Sequence, residues 1–212
     1  MNNAARPQVV LIHGLWMHGF VLWPLAYRLR KHGFAVATFS YPSVHRTLRE
    51  NAAALDTFLK TRRAHTVHLV GHSLGGVLIR ALFAYFPDQQ PGRVVTLASP
   101  HQGSEAATYL SRFSFWRVAM GKSVAELIAG VPNGWGNCPR EVGTLSGTHR
   151  FGLARFAVPS LPRPNDGLLT ETEMRWSQAC DHRVLSVSHT GILVSKQAAD
   201  EAAAFLKTGR FK

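Results

Sequence analysis

The chain is expected to fold as an α/β protein with a mostly parallel central sheet and helices on both faces. Three observations lead there. Short apolar runs with strand character alternate with helix-patterned segments along the whole chain, the rhythm of successive strand–helix–strand units. One junction, Gly71-His72-Ser73-Leu74-Gly75, stands between the apolar run Thr66–Val70 and the helix-like stretch beginning at Gly76. Finally, 212 residues suit one domain with one sizeable core, and no repeat or low-complexity segment interrupts them.

Taken in order, strands are expected near Val9–Ile12, Ala35–Phe39, Thr66–Val70, Val94–Ala98, Phe151–Val158 and Arg183–Val187. Helices are expected near Phe20–Lys31, Leu48–Arg62, Leu74–Tyr85, Glu105–Arg112 and Gln197–Lys207. The stretch from His101 to His149 breaks the rhythm. It carries Phe113, Phe115, Trp116, Val118 and Met120, followed by a Gly/Pro-rich run at 130–137. It leaves a strand end beside the candidate serine, so it reads as a small cap-like insertion, about 101–149, within a single domain spanning 1–212. Its aromatics would either wall a pocket or pack a peripheral helix pair onto the sheet.

A serine hydroxyl is a poor nucleophile unless the fold presents it to a base and to an anion-stabilising pocket. The G-x-S-x-G pattern does so by placing serine on a tight strand-to-helix turn, and the following helix start offers unpaired N–H groups. Ser73 is therefore the candidate nucleophile, with a structural Gly-Ser turn as the bland alternative. On such a turn the chain order is Ser, then Asp or Glu, then His. Two histidines lie beyond a plausible acid loop. His182 precedes the run Arg183–Val187 and His189 follows it. Sites of open α/β sheets lie beyond the carboxyl ends of the strands, which favours His189.

The same reasoning selects the acid. Asp88 reads as a helix-end turn, Asp200 sits on the C-terminal helix, and Asp181 is at the entry end of the last strand. Asp166, in Pro164-Asn165-Asp166-Gly167, follows the apolar stretch Phe151–Val158 and falls at a strand's exit, although such a run is also an ordinary turn. Glu171 and Glu173 are nearby alternatives, better read as first-turn helix charges. For an oxyanion, the main-chain N–H groups of Leu15 and Leu74 are the expected donors, one after the strand ending in His13-Gly14 and one after Ser73. His13 precedes Ser73 and is expected to pack or hydrogen-bond beneath that loop; His18 is expected to face water. Trp16, Phe115, Trp116 and Leu168 are the candidate substrate-binding residues, with simple core cover as the alternative for Trp16.

These pieces together resemble the α/β-hydrolase superfamily, and within it the small bacterial esterases and lipases. The resemblance rests on His13-Gly14-Leu15, Gly71-His72-Ser73-Leu74-Gly75-Gly76, Ala98-Ser99-Pro100-His101-Gln102-Gly103-Ser104, Asn165-Asp166-Gly167-Leu168 and Ser188-His189-Thr190-Gly191-Ile192-Leu193. They follow the family's order almost from end to end. The resemblance implies an α/β-hydrolase fold and hydrolysis of carboxylic esters with Ser73, Asp166 and His189 as the triad, without a metal or organic cofactor. The chain is short, which argues against the large mobile lid of true lipases. Short-to-medium acyl esters are the expected small-molecule substrates. Lipase, thioesterase, amidase or acyltransferase chemistry on the same triad is the alternative, and a catalytically silent binding protein on the fold is the contrasting class.

Composition sets the remaining limits. A content of 46% hydrophobic and 17% charged residues fits a globular protein and excludes a disordered one. No apolar run approaches the ~20 residues of a membrane span, and Met1 to Gln8 lacks the apolar core of a signal peptide. A cytoplasmic location is the expectation. Lys and Arg total 24 against 12 acids, for a net charge of +12. Such a surface attracts polyanions non-specifically, yet no zinc, RNA-binding or helix-turn-helix pattern accompanies it. The basic surface is read as solvated, with weak association with anionic membrane surfaces as the alternative. No specific nucleic acid and no obligate protein partner is expected. Cys138 and Cys180 form neither a disulfide framework nor a metal motif; two free thiols are expected, with one bridge between them as the other arrangement.

Overall fold

The computed structural model describes residues 6–130, 138–151, 158 and 160–212. Six strands form one sheet: β1 (Gln8–Ile12), β2 (Ala35–Phe39), β3 (Val67–His72), β4 (Val94–Leu97), β5 (Val142–Gly147) and β6 (Asp181–Leu185). Their order across the sheet is β2-β1-β3-β4-β5-β6, and every neighbouring pair is parallel. The expected architecture is the one observed.

A parallel sheet is covered on both faces, so its strands must be apolar on both sides. In β1 the alternation is visible residue by residue. Val10 and Ile12 point into the core layer with α2 (Leu48–Lys60) and α3 (Leu74–Tyr85), while Val9 and Leu11 point into the layer with α1 (Trp23–Lys31) and the last helix. All four are fully buried.

Local signals set the helix boundaries. Helix α1 begins later than expected, because Gly19–Leu22 forms a 3₁₀ turn and Pro24 takes the second helical position. Helix α2 starts with a capping box: Thr47 Oγ1 accepts from the Glu50 N–H at 3.1 Å, and Glu50 Oε2 accepts from the Thr47 N–H at 2.8 Å. Beyond β4 come α4 (Glu105–Leu110) and α5 (Ser114–Ala129), then the short α6 (Glu171–Met174) before β6. The chain closes with α7 (Lys196–Thr208), which ends at Gly209 in the left-handed region, φ 79°.

One strand falls where sequence reasoning did not put it. β5 lies inside 101–149, the stretch assigned to a cap-like insertion, so that stretch contributes a strand to the sheet as well as α4 and α5. The expected strand Phe151–Val158 lies mostly outside the described residues, and the place between β4 and β6 belongs to Val142–Gly147. β5 reads weakly as a strand because it contains two glycines, and the packing shows why. A Cβ on Gly143 would meet the rings of Phe205 and Phe211 at 2.7 Å, and one on Gly147 would meet the Val187 carbonyl at 2.5 Å.

Candidate active site

The chain passes from β1 to β2 on one side and returns to place β3 on the other, so the sheet's order reverses between β1 and β3. Loops leaving the carboxyl ends of those two strands diverge, and a crevice opens between them. His13-Gly14-Leu15 leaves β1 there, and Ser73 leaves β3. The approach is close enough that a Cβ on Gly14 would stand 3.0 Å from Ser73 Cβ.

Ser73 sits at the point of the turn with φ 53° and ψ −123°, a conformation that L-residues avoid and that a tightly packed neighbourhood must hold in place. The glycines provide that neighbourhood. A side chain on Gly75 would run into the carbonyl oxygens of Ile12 and His13 at 2.5 and 2.6 Å, and one on Gly71 would strike Gly76 N at 2.6 Å. The Ser73 N–H donates to the Leu97 carbonyl at 2.9 Å, tying the turn to β4.

His189 follows β6 and Asp166 lies over the end of β5, its Cβ 3.0 Å from where a Gly147 Cβ would be. Asp166 thus stands at a strand's exit as reasoned, but the strand is β5. The structure brings the three side chains into one line. His189 Nδ1–H donates to Asp166 Oδ2 at 2.7 Å, which leaves Nε2 as an acceptor facing Ser73 Oγ at 3.1 Å. Asp166 is fully buried, and its second oxygen, Oδ1, accepts the N–H groups of Leu168 and Leu169 at 2.9 and 2.8 Å. A buried carboxylate is tolerated because both oxygens are satisfied.

The competing residues are occupied elsewhere. His182 donates from Nε2 to Glu171 Oε1 at 2.8 Å, and its Nδ1 faces Thr144 Oγ1 at 2.6 Å. That pairing also takes Glu171, which Arg175 holds at 2.7 Å as well. Glu173 completes the capping box of α6 with Thr170. His13 donates from Nδ1 to the Gly14 carbonyl at 2.8 Å and accepts the Tyr41 N–H at Nε2, 3.1 Å, while its ring stacks on Tyr41. Burial pushes its pKa down, so this ring is a neutral strut beneath the loop. His18 is exposed.

Beside Ser73 lies an apolar cleft of about 90 Å³, lined on the sheet side by Leu15, Leu74 and Leu168 and on the far side by Met120, Val124 and Leu127 of α5. Leu74 is the first residue of α3, where a main-chain N–H has no partner within the helix. Trp16 also lines the cleft. Its indole donates to the Ala119 carbonyl at 2.8 Å and its main-chain N–H to Ser43 Oγ at 3.2 Å, so the loop carrying Leu15 is pinned on both sides.

Two expected pocket residues are placed differently. Phe115 is 73% exposed and rests edge-on against Trp116. Trp116 is half-buried and meets Trp16 at 6.1 Å between ring centroids, outside the residues lining the cleft. On α5 the wall falls to Met120, Val124 and Leu127, at and beyond the break in the helix at Gly121, φ 73°. Their spacing of four and three reads as a helical stripe in the sequence, although the break at Gly121 separates Met120 from the other two. Both cysteines are free thiols.

A sheet of this order, with a serine on a strained strand-to-helix turn, a buried carboxylate–imidazole pair and a crevice at the reversal of strand order, defines an open α/β protein of the hydrolase kind. Residues 9–206 match the model of the alpha/beta hydrolase family, and the chain belongs to that family. No curated protein matches the chain in sequence. Among solved structures it is similar to the Bacillus licheniformis lipase BlEst2 in mature form, at 20% identity and a TM-score of 0.74, covering 100% of this chain and 95% of that one. It is similar to the metagenomic carboxyl esterase MGS0156 at 15% identity and a TM-score of 0.70, covering 88% of this chain and 65% of that one. It is also similar to RedJ, a thioesterase of the prodiginine biosynthetic pathway in Streptomyces coelicolor, at 16% identity and a TM-score of 0.60, covering 97% and 86%. At such identities the likeness is one of fold.

Proposed function

We propose that the chain is a serine hydrolase that cleaves carboxylic esters of short-to-medium acyl chains through an acyl-enzyme intermediate. The observation that carries this reading is the unbroken hydrogen-bonded path from Asp166 through His189 to Ser73, ending at a hydroxyl beside an apolar cleft. His189 Nε2 takes the Ser73 proton as Oγ attacks the ester carbonyl carbon, and the carbonyl π electrons move onto oxygen. The N–H groups of Leu15 and Leu74 hold that oxyanion, each typically worth about 3–4 kcal/mol at the transition state. Asp166 orients the imidazole and stabilises its charged form. Collapse of the intermediate breaks the bond to the leaving alkoxide, which departs as an alcohol with the proton from His189. Water then repeats the sequence on the Ser73 ester, releasing the carboxylic acid and restoring the hydroxyl.

The acyl chain lies in the cleft bounded by Met120, Val124, Leu127 and Leu168. Each methylene buried there contributes up to about 0.8 kcal/mol, or roughly fourfold in kcat/KM, until the cleft is full. A series of p-nitrophenyl esters from acetate upward, run beside thioester and amide analogues, tests the proposal. The expected result is a rise and then a plateau or fall within the short-to-medium range, abolished in Ser73→Ala. Turnover of the thioester or the amide in preference to the ester would reassign the substrate class. Undiminished turnover by Ser73→Ala would dismiss the site.

A further inference from the structure

We infer that His72, the residue before the candidate nucleophile, is a positioning residue that holds the His189 main chain and so keeps its imidazole within reach of Ser73. This rests on the reading of His189 as the base. His189 lies in the irregular stretch between β6 and the 3₁₀ turn Gly191–Leu193, where no regular element fixes it. Its two main-chain groups are nevertheless both held. Its N–H donates to the Asp166 carbonyl at 2.9 Å, and its carbonyl accepts from His72 Nε2 at 2.9 Å. His72 is the last residue of β3, so this second bond ties the base directly to the strand that delivers Ser73. The distance between Nε2 of His189 and Oγ of Ser73 is thereby set by one short circuit: Ser73, its neighbour His72, the His189 main chain and the His189 ring.

The cost of having histidine here shows that the donor matters. His72 is 1% exposed, and its Nδ1 is buried without a hydrogen-bond partner. An unpaired buried acceptor is destabilising, and an apolar ring in this place would avoid it. What histidine adds over such a ring is the one proton on Nε2. The ring is neutral, since burial pushes its pKa down to about 3, and a neutral ring bonded to a carbonyl through Nε2 must carry its proton on that atom.

Two amide replacements separate positioning from packing. In His72→Gln the side-chain amide extends to where Nε2 stands and can still donate to the His189 carbonyl; in His72→Asn the amide ends nearer the Nδ1 position and cannot. His72→Phe keeps the ring volume and removes the donor. With a p-nitrophenyl ester, Gln should stay within about threefold of wild-type kcat, whereas Asn and Phe should lose roughly tenfold or more with KM little changed, the signature of misplaced reacting groups. Equal kcat in all three variants and wild type would overturn the proposal. Should the variants not fold, the imidazole nitrogen resonances of the wild-type protein decide, with the Nε2–H tautomer expected for His72 and the Nδ1–H tautomer overturning it. Failure of the base reading itself is separate: it would appear as ester turnover surviving in His189→Ala, and would leave the tautomer of His72 as found.

Discussion

Ser73 occupies a backbone conformation, φ 53°, that only its packed neighbours make tenable, and the buried Gly75 is the neighbour to replace. Gly75→Ala adds one methyl group, which would lie 2.5 Å from the carbonyl oxygen of Ile12, the last residue of β1, and 2.6 Å from that of His13 just beyond it, both of them backbone atoms. Neither can swing aside, so overpacking of about 1–3 kcal/mol is expected. Chemical denaturation should show a midpoint shift of that order, together with loss of ester turnover. A second residue-level expectation separates the two aspartates at the sheet's opposite ends. Asp166→Asn keeps an acceptor for Leu168 and Leu169 but cannot stabilise a charged His189, and should lose most of kcat. Asp181→Asn still accepts from the Phe211 N–H, a bond of 2.8 Å at the entry end of β6, and should hydrolyse at close to the wild-type rate. The reverse ranking of steady-state rates would contradict the placement of the acid.

Elements differ in how plainly they can be read before folding. β1, β3 and α3 are legible because each repeats one pattern, an apolar run or a helix-like stretch, up to a recognisable glycine turn. Strand ends and chain order point to Ser73 and His189; they point to Asp166 for the exit of Phe151–Val158, whereas the strand end it lies over is that of β5. β5 was hidden for a physical reason: Val142-Gly143-Thr144-Leu145-Ser146-Gly147 is built to receive the rings of α7 and the C-terminus, so its small residues look like a loop until those rings are in place. Phe205 is fully buried against it. Phe205→Ala should cost about 3–5 kcal/mol, read as a lowered denaturation midpoint, since the two-glycine strand has no side chains with which to refill the space. Helix α5 misled in another way, its exposed aromatics drawing attention from the stripe Met120, Val124 and Leu127. It is also strapped down. Lys122 N–H donates to the Val44 carbonyl at 2.9 Å, Ser123 Oγ to the Arg46 carbonyl at 2.7 Å, and Glu126 Oε2 accepts the Leu48 N–H at 2.7 Å. A helix fixed at three points is a wall. Ester turnover should therefore cross the solubility limit of its substrate smoothly; a sharp rise at emulsion formation, followed by titrating substrate through that limit, would mean that α5 opens.

At the scale of the whole molecule, buried histidines, His68, His72 and His101 in addition to His13, make stability depend on acid. Burial lowers the pKa of His68 to about 4 and of His72 to about 3, and holds that of His101 well below the ordinary value of 6.5. Below about pH 6.5 the unfolded chain binds protons that the folded chain refuses, so stability falls as pH drops towards those lowered values. Each group contributes up to about 1.4 kcal/mol per pH unit. Urea unfolding at pH 7 and pH 5 should therefore differ by a few kcal/mol, whereas these histidines contribute no change between pH 7 and pH 8.5. Equal midpoints at pH 5 and 7 would mean that these rings are not buried neutral. Around this core the sheet brings the ends of β1, β3, β5 and β6 together, and the central claim is that their meeting point makes Ser73 a nucleophile. Incubation with a fluorophosphonate, followed by mass spectrometry of the digested protein, tests it most directly. One adduct per chain is expected, on the peptide carrying Ser73, absent in Ser73→Ala and much slower to form in His189→Ala. A wild-type protein that stays unlabelled, or one labelled at another residue, would contradict it.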